Sequence, residues 1–326
     1  MNHCHHPLLH EPAVHANLAV CLLGPPSGRN AENALPAREF LVLEECLANG
    51  RARLHETGTV GYLEIENLAE ADLFLQAGDI VKGGWQDRAL GTDFIVPARS
   101  GRISVSAFCV EHGRWSQRQG ESAETFGSSP EILSSSKLKR LIRKEQSQAA
   151  VWDEVAAVQG RLAASIGRSV AAAMSPSSLP LSLGNADVRR RTEGYVATLG
   201  SLPDAHPAAV GFVFLINGRP AGAETYATAA LFRKLWGKGL QAAALEALGE
   251  HSSNARDADA APRVDRAGIA VWLTEPHRRA ARAKTSHRTV TGRVTLRTRE
   301  TRTRIVFETL DAAQENRCVH ATTLAQ

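Results

Sequence analysis

Cysteine is scarce and scattered: Cys4, Cys21, Cys46, Cys109 and Cys318 are the five in 326 residues, and no two form a CxxC pair. That spacing excludes a disulfide framework and a zinc-finger pattern, and it fits a reducing compartment. No apolar run reaches the ~18 residues of a membrane helix. The first residues, MNHCHHPLLHEP, lack a basic segment followed by an apolar one, so no signal peptide is expected and the chain reads as cytoplasmic. A strong charge of one sign is also missing. Thirty-eight Lys and Arg against 34 Asp and Glu leave +4, too little to imply a nucleic-acid partner. The sequence holds no G-x-x-x-x-G-K-[ST], H-E-x-x-H or G-x-S-x-G, and no dinucleotide-binding glycine fingerprint. P-loop, zincin and nucleophile-elbow chemistry therefore have no support.

What is present is an ordinary globular composition, 43% hydrophobic and 22% charged. The length suits one large domain or two ordinary ones. Residues 1–37 read as a flexible N-terminal segment, apart from a strand pattern at Leu18–Leu23. Its His3, Cys4, His5, His6 group resembles metal ligands on paper, but a flexible tail does not preorganise a site and no metal is expected. Residues 38–322 read as a single domain with a sub-boundary near 175–187, where SPSSLPLSL has the character of a linker. The fold expectation is α+β: a strand-rich, sandwich- or barrel-like N-terminal half, a long central helix region, and a mixed C-terminal segment packing back on the sheet. Alternation places strands at 53–56, 60–67, 71–76, 93–97 and 102–110. In the last of these, Cys109 faces inward as a small buried side chain. Helical spacing runs from Ile132 to Ile166, with Ser129-Pro130 as its start, and again over 187–199 and 225–248. Asn217-Gly218 marks a hairpin. GIAVWL (268–273) reads as a strand, and 288–299 with 301–310 as a second hairpin.

The densest potential chemistry lies between Gly78 and Trp115. Gly83 and Gly84 permit positive φ or close backbone approach. Lys82, Gln86, Asp87 and Arg88 follow one strand pattern, and Glu111, His112 and Arg114 follow another. If the two loops meet at one rim, Arg88 and Arg114 face one cavity. Guanidinium forks suit phosphate or carboxylate, and Glu111 or Asp87 is then a candidate general base. The alternative is a set of solvated loops stapled by an Arg–Glu pair.

The same residues carry a resemblance. The run Gly78, Gly83, Gln86, Asp87, Arg88, then Val96, Pro97, Ala98, Ser100, then Ile103, Val105, Cys109, Val110, Glu111, Gly113, Arg114, Trp115, then Gln148, Val151, Trp152, Asp153, Glu154, Val155 resembles the ARPP-1 domain, the ADP-ribosylglycohydrolase and rhodanese–phosphatase-associated protein domain. The stretch VGFVFLINGRPAGAETYATAALFRKLW and His320 are similar to its second half. Asp87 departs from the Asn expected there. The resemblance covers residues 38–322 and implies an association with ADP-ribose and NAD systems, without a reaction.

The reading is therefore a domain that binds, or hydrolyses, a nucleotide or ADP-ribose-related anionic ligand. Glu111 and Asp87 are its candidate catalytic carboxylates. Lys82, Gln86, Arg88, His112, Arg114 and Trp115 are its candidate ligand contacts, and no cofactor is assigned. Trp115 is placed either to stack on a base or to sit at a core edge. Trp152 reads as core. One alternative is a non-enzymatic module with protein partners. Another is nucleic-acid binding through the Arg-rich end, from Arg278, Arg279 and Arg282 to Arg293, Arg297, Arg299 and Arg304. No aromatics interleave with those arginines, so nucleic acid is not the expected partner and a solvated sheet face is. No membrane partner is expected.

Overall fold

The alternation along Ile103–Cys109 is realised as a strand whose Val105, Ala107 and Cys109 are buried while Ser104 is exposed. The computed structural model describes residues 7–26, 38–251, 264–278 and 283–326. The His3, Cys4, His5, His6 group and Arg279 and Arg282 lie outside these residues.

In chain order the first strands are β1 (Pro7–Leu9), β2 (Ala13–His15) and β3 (Leu18–Pro26). Next come β4 (Leu41–Val42), α1 (Leu43–Ala48), β5 (Ala52–His55), β6 (Tyr62–Asn67), β7 (Leu73–Leu75) and β8 (Asp79–Gly83). They continue as β9 (Arg88–Leu90), β10 (Phe94–Val96), β11 (Ile103–Cys109) and β12 (Phe126–Leu133). The helices α2 (Ser136–Arg140), α3 (Gln148–Ile166), α4 (Leu179–Leu183), α5 (Ala186–Leu199) and α6 (Leu202–Ala205) precede the hairpin β13 (Gly211–Ile216) and β14 (Arg219–Tyr226). The chain closes with α7 (Ala229–Gly249), α8 (Arg266–Arg278), β15 (Lys284–Thr289), β16 (Val294–Glu300), β17 (Arg304–Asp311) and β18 (Arg317–Ala325).

Two compact units result. One takes the chain up to 39, 197–236 and 254–326; the other takes 40–196 and 237–253. The first is built on an antiparallel sheet in the order β1-β3-β13-β14-β18-β17-β16-β15, with β2 paired to β3. Asn217 and Gly218 both have positive φ, the conformation a tight β13–β14 hairpin requires. Ile269 of α8 packs with Ala19, Val213 and Leu215 on one face of the sheet. On the other face, Phe232 and Trp236 of α7 pack against Phe212.

The second unit holds the β12-β8-β9-β11-β6-β5 sheet. Its two ends approach each other: His55 bridges Thr125, and the Glu56 N–H donates to the Glu124 carbonyl at 2.9 Å, so the sheet nearly closes into a barrel. A smaller sheet, β10-β7-β4, lies in the same unit. Outside the barrel, Ile80, Ala89 and Val110 pack with Leu138, Val151, Val155, Leu162, Leu245 and Leu248 from α2, α3 and α7.

Several expectations are corrected. Residues 7–26, assigned to a flexible segment, hold three strands of the first unit's sheet. The continuous helix over 132–166 is broken: β12 takes its start, a π-helical turn occupies Leu141–Glu145, and Gln146 is left-handed before α3 begins. Ser129-Pro130 therefore does not start a helix. It falls where the β12–β8 register shifts between Ser128 and Leu133, a place where a residue without an N–H is tolerated. The 175–183 stretch is not a linker, because Ser178 caps α4 by accepting the Leu181 N–H at 3.2 Å and Leu179 is buried. GIAVWL lies in helix α8; a short apolar run alone does not separate strand from helix. The C-terminal strands do not return to the sheet of residues 52–133. They extend the other sheet through β14.

Candidate functional site

The 84–87 turn joins β8 to β9. Gly83 and Gly84 have φ of +127° and +54°. A Cβ on Gly84 would stand 2.4 Å from the Phe126 ring and 2.6 Å from Glu56 Oε2. A Cβ on Gly83 would stand 2.8 Å from the Thr125 carbonyl, so only glycine lets this turn fold back on β12.

Beyond the turn, Asp87 and Glu111 anchor a buried charge network. Both carboxylates are fully buried. The Asp87 N–H donates to Glu111 Oε2 at 3.0 Å. Arg114 meets Glu111 with Nε and Nη2, each at 2.8 Å, and its Nη1 and Nη2 also reach the carbonyls of Gly84 (3.1 Å), Ser116 and Gly83 (3.4 Å). All five of its N–H groups thus have acceptors within the protein. Arg118 donates to Asp87 through Nη2, to Ser178 through Nη1 at 3.3 Å and to Glu121 through Nε at 2.9 Å. Ser178 Oγ donates to Asp87 Oδ2 at 2.7 Å, and Ser175 Oγ donates to Glu111. Burial pushes the Asp87 carboxyl above its ordinary value and the neighbouring Glu111 adds to the shift, against the opposing pull of Arg118 and Ser178. Burial works against the Glu111 charge as well. There, hydrogen bonds from Arg114, Ser175 and the Asp87 amide outweigh it and hold the carboxyl below its usual range.

Arg88 opens β9 directly after Asp87, the last residue of the turn, and its side chain goes to the opposite side. It stands opposite Cys109 on β11 and Val81 on β8, and it is wholly buried. Its Nη1 donates to the Gln86 carbonyl at 2.9 Å, and Glu56 Oε2 lies 3.6 Å from Nη2. The Cys109 thiol donates to Gln86 Oε1 at 2.8 Å, and burial pushes its pKa up to about 11. The Gln148 amide clamps the Cys109 backbone from both sides, accepting its N–H at 2.9 Å and donating to its carbonyl at 2.8 Å. The expected meeting of Arg88 and Arg114 at one cavity is therefore replaced by two clusters back to back. Arg114 joins Asp87 and Glu111, whereas Arg88 joins Gln86 and Glu56.

The remaining candidates lie nearer the surface. Lys82 is half-buried on β8. His112 is exposed, with its ring edge-on to Trp152 at 4.4 Å. Trp152 is half-buried rather than core. Trp115 is 51% exposed and Trp85 40%. In the Arg-rich strands, Arg293 pairs with Asp311, and Arg297 and Arg299 both pair with Glu308.

Sequence reading missed Arg118, Ser175 and Ser178. Arg118 sat in a polar loop and the serines in an apparent linker. The buried-leucine spacing of LPLSL after Ser178 was the one signal that this stretch is structured. It also passed over Glu56 and Trp85.

A family model described as the ARG and Rhodanese-Phosphatase-superfamily-associated Protein domain, ARPP-1, matches residues 8–324. No curated protein and no solved structure matches the chain.

Proposed function

The chain belongs to the ARPP-1 family, whose description names associations and no reaction, and from the rim itself we propose that the domain binds a nucleotide-like small molecule at the 84–87 turn and the 111–118 loop. The observation that carries this reading is the pair of exposed indoles. Trp85 follows Gly84, whose carbonyl accepts from Arg114, and Trp115 follows Arg114. One hydrogen bond thus has an exposed indole attached to each end. Exposed indoles held on a rigid frame suit stacking on a base. In this reading Asp87, Glu111, Arg114 and Arg118 hold the two loops together, and His112 and Lys82 supply polar contacts at the rim.

Binding is favoured over hydrolysis because turnover would require Asp87 or Glu111 to leave its hydrogen bonds. A location in a reducing compartment, the cytoplasm, belongs to the same proposal and accords with Cys21 and Cys109, buried and in no disulfide among the described residues. Isothermal titration of the purified protein with AMP, NAD and ADP-ribose tests it. Saturable binding is expected for at least one of them. Removing a stacking indole in Trp115→Ala should weaken that binding by about 5–150-fold, the equivalent of ~1–3 kcal/mol. No heat from any of the three, or affinity unchanged in both Trp85→Ala and Trp115→Ala, sinks the proposal.

A further inference from the structure

The Arg88 guanidinium is only half used. Nη1 donates to the carbonyl of Gln86 at 2.9 Å and to its Oε1 at 3.4 Å. The opposite edge, Nε with Nη2, presents the two parallel N–H bonds that grip planar acceptors, and among the described residues neither nitrogen has a hydrogen-bond acceptor. Gln86 Nε2, on the residue that also takes the Cys109 thiol, has none either. Both side chains are fully buried, where unmade hydrogen bonds are costly.

Charge selects what belongs there. Glu56 Oε2, 3.6 Å from Arg88 Nη2, balances the guanidinium but stands too far for a hydrogen bond. An anion would add an uncompensated negative charge beside that carboxylate. Glu56 Oε1 already accepts the Thr57 and Gly58 N–H groups, at 3.0 and 3.1 Å, and Oε2 the Trp85 N–H, which leaves Oε2 room for one further donor. A neutral group that accepts from Arg88 and donates to that oxygen adds no charge and serves both. We propose that the Nε–Nη2 edge of Arg88, Gln86 Nε2 and Glu56 recognise the amide edge of a small uncharged group, a carboxamide or a lactam. Its carbonyl accepts from Arg88 and Gln86, and its N–H donates to Glu56. The site lies directly beneath the 84–87 turn, since Glu56 Oε2 accepts the Trp85 N–H at 3.2 Å. This deepens the nucleotide reading, on which it rests only for how the rest of the ligand is held.

Thermal melts of the full-length protein with benzamide, δ-valerolactam and benzoate test the idea. The melting temperature should rise saturably, by a few degrees, with either amide and not with benzoate. The rise should vanish in Arg88→Met and in Gln86→Met; circular dichroism reports whether each variant folds, and Gln86→Met decides if Arg88→Met does not. Equal shifts for benzamide and benzoate overturn the proposal. So does a benzamide shift that survives in Gln86→Met, or a crystal structure in which an ordered water on the Arg88 edge is not displaced by benzamide. The two readings fail separately. A Trp85→Ala/Trp115→Ala double variant should lose nucleotide binding and keep the benzamide shift, whereas Gln86→Met should lose the benzamide shift however nucleotides behave.

Discussion

Arg114 and Arg88 carry the same guanidinium and end in opposite situations. Arg114 spends every donor on Glu111 and on backbone carbonyls, so it fixes loops. Arg88 keeps one edge without an acceptor among the described residues. Arg293, just before β16, resembles Arg114. Arg293 grips Asp311 with Nε and Nη2 at 2.8 and 2.9 Å, and Gln314 adds a third bond at 3.0 Å. Burial alone would raise the Asp311 pKa, but these bonds overcome it and hold the carboxyl below its ordinary value. The sign of the linkage follows. A folded pKa below the unfolded ~3.9 contributes stability above about pH 4, and that contribution is lost as pH falls through the folded value. Urea unfolding of wild type and Asp311→Asn between pH 6 and pH 2.5 should show a steeper acid loss in wild type. Parallel pH profiles would show that the Arg293 contact adds nothing to stability.

At the scale of single elements, close approach sorts the glycines. Gly211 opens β13 against β14, and a Cβ there would stand 2.2 Å from the Glu224 carbonyl, which is backbone and has little room to yield. Gly160 lies in α3 with nothing within 4 Å of the same construction. Gly211→Ala should cost about 1–3 kcal/mol or more through overpacking. Gly160→Ala should gain ~0.5–1 kcal/mol by limiting the unfolded chain and favouring the helix. Chemical denaturation of both variants checks the pair, and equal effects would contradict the geometry. Elements with a clear period were legible in the sequence. Leu63 and Ile65 face inward and Tyr62 outward, as alternation implies. GIAVWL was not legible, because six apolar residues fit either period. Nor was β12, whose pairing with β8 overrides the helix-start chemistry of Ser129-Pro130.

At the scale of the molecule, neither unit is one continuous segment of chain. The core of the second unit includes Leu245 and Leu248, and Lys238 pairs with the buried Asp79. A chain truncated to residues 40–196 would lack all three, leaving the faces of α2 and α3 uncovered and the Asp79 charge without its cation. Near-UV circular dichroism and an amide proton spectrum should show loss of fixed packing. A cooperative native-like melt would show that 237–253 is dispensable.

The sequence by itself determined the local periods, the Asn217-Gly218 turn, the inward Cys109 and the concentration of polar chemistry near Gly78–Trp115, since each depends only on neighbours along the chain. It also carried the family resemblance. The tertiary structure alone decided which groups meet. Asp87, which ends the turn, and Arg88, which opens β9, point to opposite sides, and each takes partners far away in the chain: Ser178 and Arg118 for Asp87, Glu56 for Arg88. Side-chain partners across strands and loops are fixed by register and by nearly closing the barrel, and no local pattern encodes either.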